Sequence, residues 1–292
     1  MPINLYNIED WDGLSKLSSL DARLYNMIPL SFDFLCMSTM PNLRILDASF
    51  TNFSNSDLER LAGLQLEKLF LSCTKVSDLG PLAKMDTLRV LDVSCTGVSD
   101  VGPLAGLLLT DINLCRTQVN DVDALANVKT LENLDLTGCV NVKYLPVLGG
   151  LLRWLKLTET GITDLSDLVN CRELRNVYVD FTGVTDLWPL ARLDKLEFIN
   201  ACCTGVKSLW PLAKLDKLRS LDVGLTKVVD IEPLAGLVGL VYLDVSCNKI
   251  FEALSLKGLV GLKTLKMKGT CVPVEHLRAA ALTLPPRTEI PI

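Results

Sequence analysis

Leucine and valine recur along this chain in a strand rhythm followed by a turn, and the pair is repeated. Val177 and Val179 alternate with Tyr178 and Asp180, the period of a half-buried strand. Thr182-Gly183 predicts a turn, after which Val184 and Leu187 re-enter the core. Asp186 is placed to cap a short helical turn opened near Pro189, and Leu190 and Leu193 point inward before the chain returns at Leu196. The same unit starts at Leu43, Leu66, Leu88, Leu109, Leu131, Leu152, Leu174, Leu196, Leu218, Leu240 and Leu262. The gaps are 23, 22, 21, 22, 21 and then five of 22, so the period is 22 residues. One such coil cannot bury its own apolar face, so stability must come from stacking on its neighbours. Parallel strands about 4.8 Å apart, one per unit, predict a sheet roughly 50 Å long.

Each unit reads Leu-x-x-Leu-x-Leu-x-x-Thr-x-Val-x-Asp-Leu-x-Pro-Leu-Ala-x-Leu, nearly intact from Leu174 to Lys195. This resembles the leucine-rich repeat family, whose motif is Leu-x-x-Leu-x-Leu-x-x-Asn/Cys-x-Leu, over residues 43 to about 283. The unit length and the short Pro-Leu-Ala segment are similar to those of bacterial internalins and of the leucine-rich regulatory subunit of nuclear protein phosphatase 1. The Thr-rich Val-Ser-Asp-x-x-Pro-Leu-Ala pattern is also similar to kinetoplastid-type repeat families. The resemblance implies an α/β fold, a leucine-rich repeat solenoid. It would be a curved right-handed coil, with a parallel β-sheet on the concave face and short helical turns on the convex side.

The ninth position of the unit is Thr51, Thr74, Thr96, Thr117, Cys139, Thr160, Thr182, Thr204, Thr226, Asn248 and Thr270. In the family this position is commonly Asn, whose amide both donates and accepts. Thr offers one hydroxyl, which is expected to bridge to an adjacent coil while its methyl packs.

A solenoid needs its terminal coils covered. Trp11, Leu14, Leu17, Leu20 and Leu24 recur at three- and four-residue steps, which predicts an amphipathic helix over residues 8–28. Residues 1–42 then form a capping helix and lead-in, residues 43–283 the solenoid of eleven repeats, and residues 284–292 a tail. Val274 to Leu284 predicts a short capping helix stopped by Pro285-Pro286, with His276 inside it in a structural or solvated role.

Composition narrows the function. The 292 residues carry 29 Lys+Arg against 34 Asp+Glu, a net charge of -5, which gives no pull toward nucleic acid or anionic membrane. The start is acidic and lacks a continuous apolar run, and Leu234 to Leu243 is about half a bilayer span. A cytoplasmic protein is therefore expected, with nuclear or cytoskeletal association compatible, and with its ten cysteines reduced. Cys73, Cys95, Cys203 and Cys247 share the eighth position, and Cys115 and Cys202 the seventh. Small side chains at a tight rim turn account for them; a zinc or redox role for Cys73 and Cys95 is the sharper alternative.

Chemistry is sparse. The chain has one histidine, no Walker or Gly-x-Gly-x-x-Gly loop and no Cys-x-x-Cys pair. Asp47, Asp92, Asp135, Asp222 and Asp244, with Asn113 and Asn200, share the fifth position, a solvated place that the repeat reuses rather than a catalytic cluster. No catalytic residue, metal or cofactor is assigned.

Function then falls to the exposed strand face, at the third, fifth, seventh and eighth positions. There the sixth to eighth repeats contribute Trp154, Lys156, Glu159, Tyr178, Asp180, Phe181 and Phe198, and Tyr242 extends the series. Aromatics with interspersed charges are the composition of an interface core, although packing along the rim would also explain some of the rings. Trp188 and Trp210, before Pro189 and Pro211, are a weaker candidate on the outer side. Lys263, Lys266 and Lys268 make a basic end strand. The expected function is a non-enzymatic scaffold or adaptor that binds a protein partner on its concave face, as a monomer or within a larger complex. A structural subunit of a cytoskeletal, ciliary or ribonucleoprotein assembly is the alternative. Neither reading requires a membrane or direct nucleic-acid contact.

Overall fold

The computed structural model describes residue 16 and residues 18–21, 40–273, 275 and 276. The chain divides into two compact units, Met1–Asn141 and Val142–Ile292. The first contains β1 (Ser19–Asp21), β2 (Ile45–Asp47), β3 (Lys68–Phe70), β4 (Val90–Asp92), β5 (Asp111–Asn113) and β6 (Asn133–Asp135). Each pairs in parallel with the next. The second contains β7 (Trp154–Lys156), β8 (Asn176–Tyr178), β9 (Phe198–Asn200), β10 (Ser220–Asp222), β11 (Tyr242–Asp244) and β12 (Thr264–Lys266). These also pair in parallel and in chain order.

Every strand is three residues long with its central residue buried, because the flanking positions face solvent while the leucine ladder faces in. The coil from Leu174 follows its pattern closely: Leu174, Val177, Val179, Val184, Leu187, Leu190 and Leu193 are all at most 1% exposed. The return segments are short 3-10 helices, such as Trp188–Leu190 and Glu232–Leu234. A proline at the start of these two removes a backbone donor that an α-helix would leave free in any case. Asp123–Asn127, Ser166–Asn170 and Leu254–Gly258 are 3-10 without a proline, and the first repeat forms α1 (Asn55–Glu59). There the Asp57 carboxylate accepts from the Ser54 amide at 3.0 Å and from its hydroxyl at 2.7 Å.

Two columns of acceptors shape the turns. Asp186 takes the Trp188 amide at 2.9 Å, as the sequence predicts, and Asp78, Asp100, Asp121, Asp164 and Asp230 do the same in their coils. At the strand exit the fifth residue accepts the amide two positions on. Asp47, Asp92, Asn113, Asp135, Asn200, Asp222 and Asp244 all serve in this way. The repeated carboxylates are thus a backbone device as well as a polar face.

The eighth residue of all eleven repeats is left-handed. Phe50, Cys73, Cys95, Arg116, Glu159, Phe181, Cys203, Leu225 and Cys247 have φ between 53 and 61, and Gly138 and Gly269 have φ 73 and 75. At the nine non-glycine positions the amide leaves its own coil and donates to the seventh carbonyl of the next, for instance Phe181 to Cys202 at 3.0 Å and Leu225 to Ser246 at 2.8 Å. The side chain points outward, so Phe50, Phe181 and Leu225 fit as readily as cysteine. Small size does not explain the cysteines here, contrary to expectation. What the position does exclude is β-branching, since none of the eleven is Val, Ile or Thr.

The threonine column also differs from expectation in most coils. Each of its hydroxyls donates back to the sixth carbonyl of its own coil, and among the described residues only two also reach the next coil: Thr226 donates to Asn248 Oδ1, and Thr117 lies 3.5 Å from Cys139 Sγ. The bonds run from Thr51 to Ala48, Thr74 to Leu71, Thr96 to Val93, Thr117 to Leu114, Thr160 to Leu157, Thr182 to Val179, Thr204 to Ala201, Thr226 to Val223 and Thr270 to Met267. A hydroxyl on a short side chain reaches the carbonyl three residues back, and meets the next coil only where Asn248 or Cys139 stands in place of threonine. The longer Asn248 amide does cross, donating to Val223 O at 2.7 Å and accepting from the Thr226 hydroxyl at 2.8 Å. Cys139 crosses too, from Sγ to Leu114 O at 3.1 Å.

At the amino-terminal end, the predicted helix over residues 8–28 is interrupted by β1, whose Leu20 is buried against β2. The Leu17-x-x-Leu20-x-Ala22 spacing matches Leu43-x-x-Leu46-x-Ala48, so the three-residue step taken for a helix also belongs to the repeat. An exposed edge of β2 favours that second reading, because pairing satisfies its backbone groups. The rest of that segment, apart from Lys16 and Ser18, lies outside the described residues. So do Val274, the residues from 277 onward and hence most of the predicted carboxyl-terminal helix; Glu275 and His276 are helical and exposed.

Two measurements follow. Thr182→Val removes one donor from a carbonyl and should lower stability by about 1 kcal/mol, whereas Asn248→Ala, which strips groups from two coils, should cost about 2 kcal/mol or more by thermal or urea unfolding. Equal losses would contradict the distinction between in-coil and cross-coil bonds. Leu225→Val should cost roughly 1–3 kcal/mol while Leu225→Gly melts at or above wild type, because only the first strains a left-handed residue.

Candidate functional site

The register of the second unit sets three rings side by side. Trp154, Asn176 and Phe198 are partners across β7, β8 and β9, as are Lys156, Tyr178 and Asn200. Tyr178 sits diagonally between the two outer rings, with room to lean because Asn176 and Asn200 are slender. Its ring centroid is 6.2 Å from that of Trp154, edge-on at 67°, and 4.7 Å from that of Phe198 at 31°. Lys156 Nζ lies 4.5 Å from the Trp154 centroid and 5.7 Å from that of Tyr178. Such ring pairs are worth about 0.5–1.5 kcal/mol beyond burial, and an exposed cation over a ring about 0.5–1 kcal/mol. The group is therefore pre-assembled. Trp154 remains 37% exposed and Tyr178 and Phe198 are half-buried.

The other predicted residues fall in different places. Glu159 and Phe181 occupy left-handed turns at the rim and are exposed, Phe181 by 55%. Asp180 turns beneath the face, only 7% exposed, where it accepts the Thr158 hydroxyl at 2.9 Å. Burial pushes its carboxyl up, against the lowering effect of that hydrogen bond.

Tyr242 lies two strands from Phe198, with Ser220 between them in the register. It belongs to a second group with Asp244 and Lys266. Its hydroxyl donates to Asp244 Oδ2 at 3.4 Å, and Lys266 Nζ is 5.2 Å from its ring and 3.5 Å from Asp244 Oδ2. Burial raises the Tyr242 phenol, and the Tyr242 contact raises the Lys266 ammonium. Sequence reading placed Lys266 in a basic end strand and missed this pairing. The signal was present: positions three and five of neighbouring repeats are diagonal neighbours on one face.

Between the two groups lies an acidic stretch. Burial and then the charge of Asp244 raise the Asp222 carboxyl, and Gly224 leaves the space between Asp222 and Asp244 without a side chain. The face thus offers rings and a cation at one end, carboxylates in the middle, and a ring with a cation at the other end. It can bury apolar groups and pair with charge of either sign.

Away from this face, Trp188 and Trp210 each open a 3-10 turn and are 61% and 55% exposed. A cavity of about 540 Å³ is lined by Val229, Asp230, Glu232, Phe251, Glu252 and Leu254 among others.

No protein-family model matches the chain, and no curated protein matches it. Solved structures do. An internalin (InlF) from Listeria monocytogenes aligns at 20% identity over 96% of this chain and 82% of that one, with a TM-score of 0.72. Internalin C2 from the same organism aligns at 27% identity over 73% of this chain and 83% of that one, TM-score 0.55. The leucine-rich repeat ectodomain of the plant membrane receptor kinase GASSHO1/SCHENGEN3 from Arabidopsis thaliana, solved in complex with Casparian strip integrity factor 2, aligns at 18% identity. That match covers 81% of this chain and 34% of that one, with a TM-score of 0.63. The repeat period, the parallel three-residue strands, the short 3-10 returns and these neighbours agree: the chain has the leucine-rich repeat fold, built on a 22-residue period.

Proposed function

We propose that the strand face of the second unit binds a protein partner through Trp154, Tyr178 and Phe198, and that the protein acts as a non-enzymatic scaffold or adaptor. One observation carries this reading. In a chain with 6% aromatic residues, Tyr178 touches both Trp154 and Phe198 on a solvent-facing surface, with a lysine over two of the three rings. Covering apolar surface gains about 25 cal/mol per Å², and rings already packed together lose little further entropy when a partner arrives. The plant receptor ectodomain with the same fold was solved in complex with Casparian strip integrity factor 2, a precedent for ligand capture by such a repeat array. The net charge of -5 favours a protein over nucleic acid as the partner.

Lys156 and the rim residues Glu159 and Phe181 would contact the edge of the bound surface, with Asp180 holding Thr158 in place beneath it. Tyr242 and Lys266 would form a second contact point. A cytoplasmic location belongs to the same proposal, supported by the nine described cysteines standing as free thiols. Among the described residues, no helix is long and apolar enough to cross a membrane.

Trp154→Ala should weaken partner binding by about 1–3 kcal/mol, roughly 5- to 150-fold in Kd, with only a small drop in the melt from the lost ring and lysine contacts. Tyr178→Ala should weaken binding similarly and also lower the melt, because Tyr178 touches both neighbouring rings. Full retention of the partner by both variants in quantitative pull-down would sink the assignment.

A further inference from the structure

We propose that Cys202 and Cys203 form a vicinal dithiol site for trivalent arsenicals and similar thiophilic centres that take two sulfur ligands at once. Adjacent residues of a strand point to opposite faces, so neighbouring cysteines ordinarily hold their sulfurs apart. Here the strand has just ended. Cys203 is left-handed, with φ 56, and that bend brings the two Sγ atoms to 3.4 Å. Both side chains are half-buried free thiols.

The backbone around the pair is held on both sides. The Cys202 amide donates to Asn200 Oδ1 at 3.1 Å, and the Cys203 amide to Gly224 O at 2.9 Å. The Cys202 carbonyl accepts the Phe181 amide at 3.0 Å. At the equivalent position of the next coil stands Gly224, so no side chain covers the thiols from there.

The geometry favours a bridging atom over a direct disulfide. Consecutive Cα atoms are about 3.8 Å apart across a trans peptide, below the roughly 4.4 Å at which ordinary disulfides begin. A centre inserted between the sulfurs closes a larger ring without drawing the Cα atoms together. With an arsenoxide the step balances: two As–S bonds form, the arsenic–oxygen bond breaks, and both thiol protons leave on that oxygen as water. Arsenic stays trivalent and no oxidant is needed. Burial, the contact with Cys203 and the charge of Asp222 push the Cys202 thiol up to about 12. Reagents that need a thiolate are therefore slow at Cys202, whereas an arsenoxide takes the thiol proton in the same condensation. The site does not depend on the partner-binding proposal.

The test treats the purified full chain with phenylarsine oxide at neutral pH in excess 2-mercaptoethanol, followed by intact mass and peptide mapping. One adduct should map to the peptide holding Cys202 and Cys203, survive the monothiol and be released by dithiothreitol. Cys202→Ser and Cys203→Ser should each weaken retention about a hundredfold or more, by losing the chelate, while Cys73→Ser leaves it intact. Arsenic mapped only to other cysteines in the wild-type chain, or undiminished retention in either variant, would overturn the proposal. The wild-type map decides the matter even if a variant folds poorly.

Discussion

Each coil must leave its strand and reach the return segment within a few residues, and the left-handed eighth residue makes that turn. For an L-residue other than glycine this conformation costs about 1–2 kcal/mol. Nine of the eleven repeats place such a residue there. What holds it is a set of short polar bonds of fixed direction. The eighth amide reaches the next coil, the ninth hydroxyl closes on the sixth carbonyl, and the fifth side chain takes the seventh amide. The turn then delivers the leucines of the return segment to the core, where burial supplies the main stabilisation. Strand register, and with it the row of rings, follows from repeating that turn at constant length.

Much of this was legible in the residues. Period, core positions, the Pro-initiated returns and the Asp186 cap all follow from spacing, because apolar periodicity and capping chemistry are local. What escaped was directional. A threonine and an asparagine at the same repeat position look interchangeable in a column, yet Thr182 ties its own coil whereas Asn248 spans two. The difference is the reach of one more bond. The left-handed residue was hidden because Phe50, Arg116 and Leu225 are not turn formers by composition; only the absence of β-branched residues at that position betrays it. The strand at Ser19–Asp21 was hidden because a leucine every third residue suits both helix and repeat.

The candidate face shows the same division. Aromatic clustering picked out Trp154, Tyr178 and Phe198, and the register brings these rings together. Asp180 lies underneath because its position in the repeat turns toward the sheet, where Thr158 satisfies it. Tyr242 pairs with Asp244 and Lys266 instead of extending the row, since Ser220 separates it from Phe198. The face thereby carries two ring-and-lysine groups flanking carboxylates.

The most direct measurement is crosslinking mass spectrometry of the endogenous protein with an amine-reactive linker. Lys156 stands over the rings, and Lys266 over Tyr242, so partner crosslinks should run through these two lysines. Lys207, Lys214 and Lys217 are exposed on the turns outside the strands. Partner crosslinks confined to those three would contradict binding on the strand face.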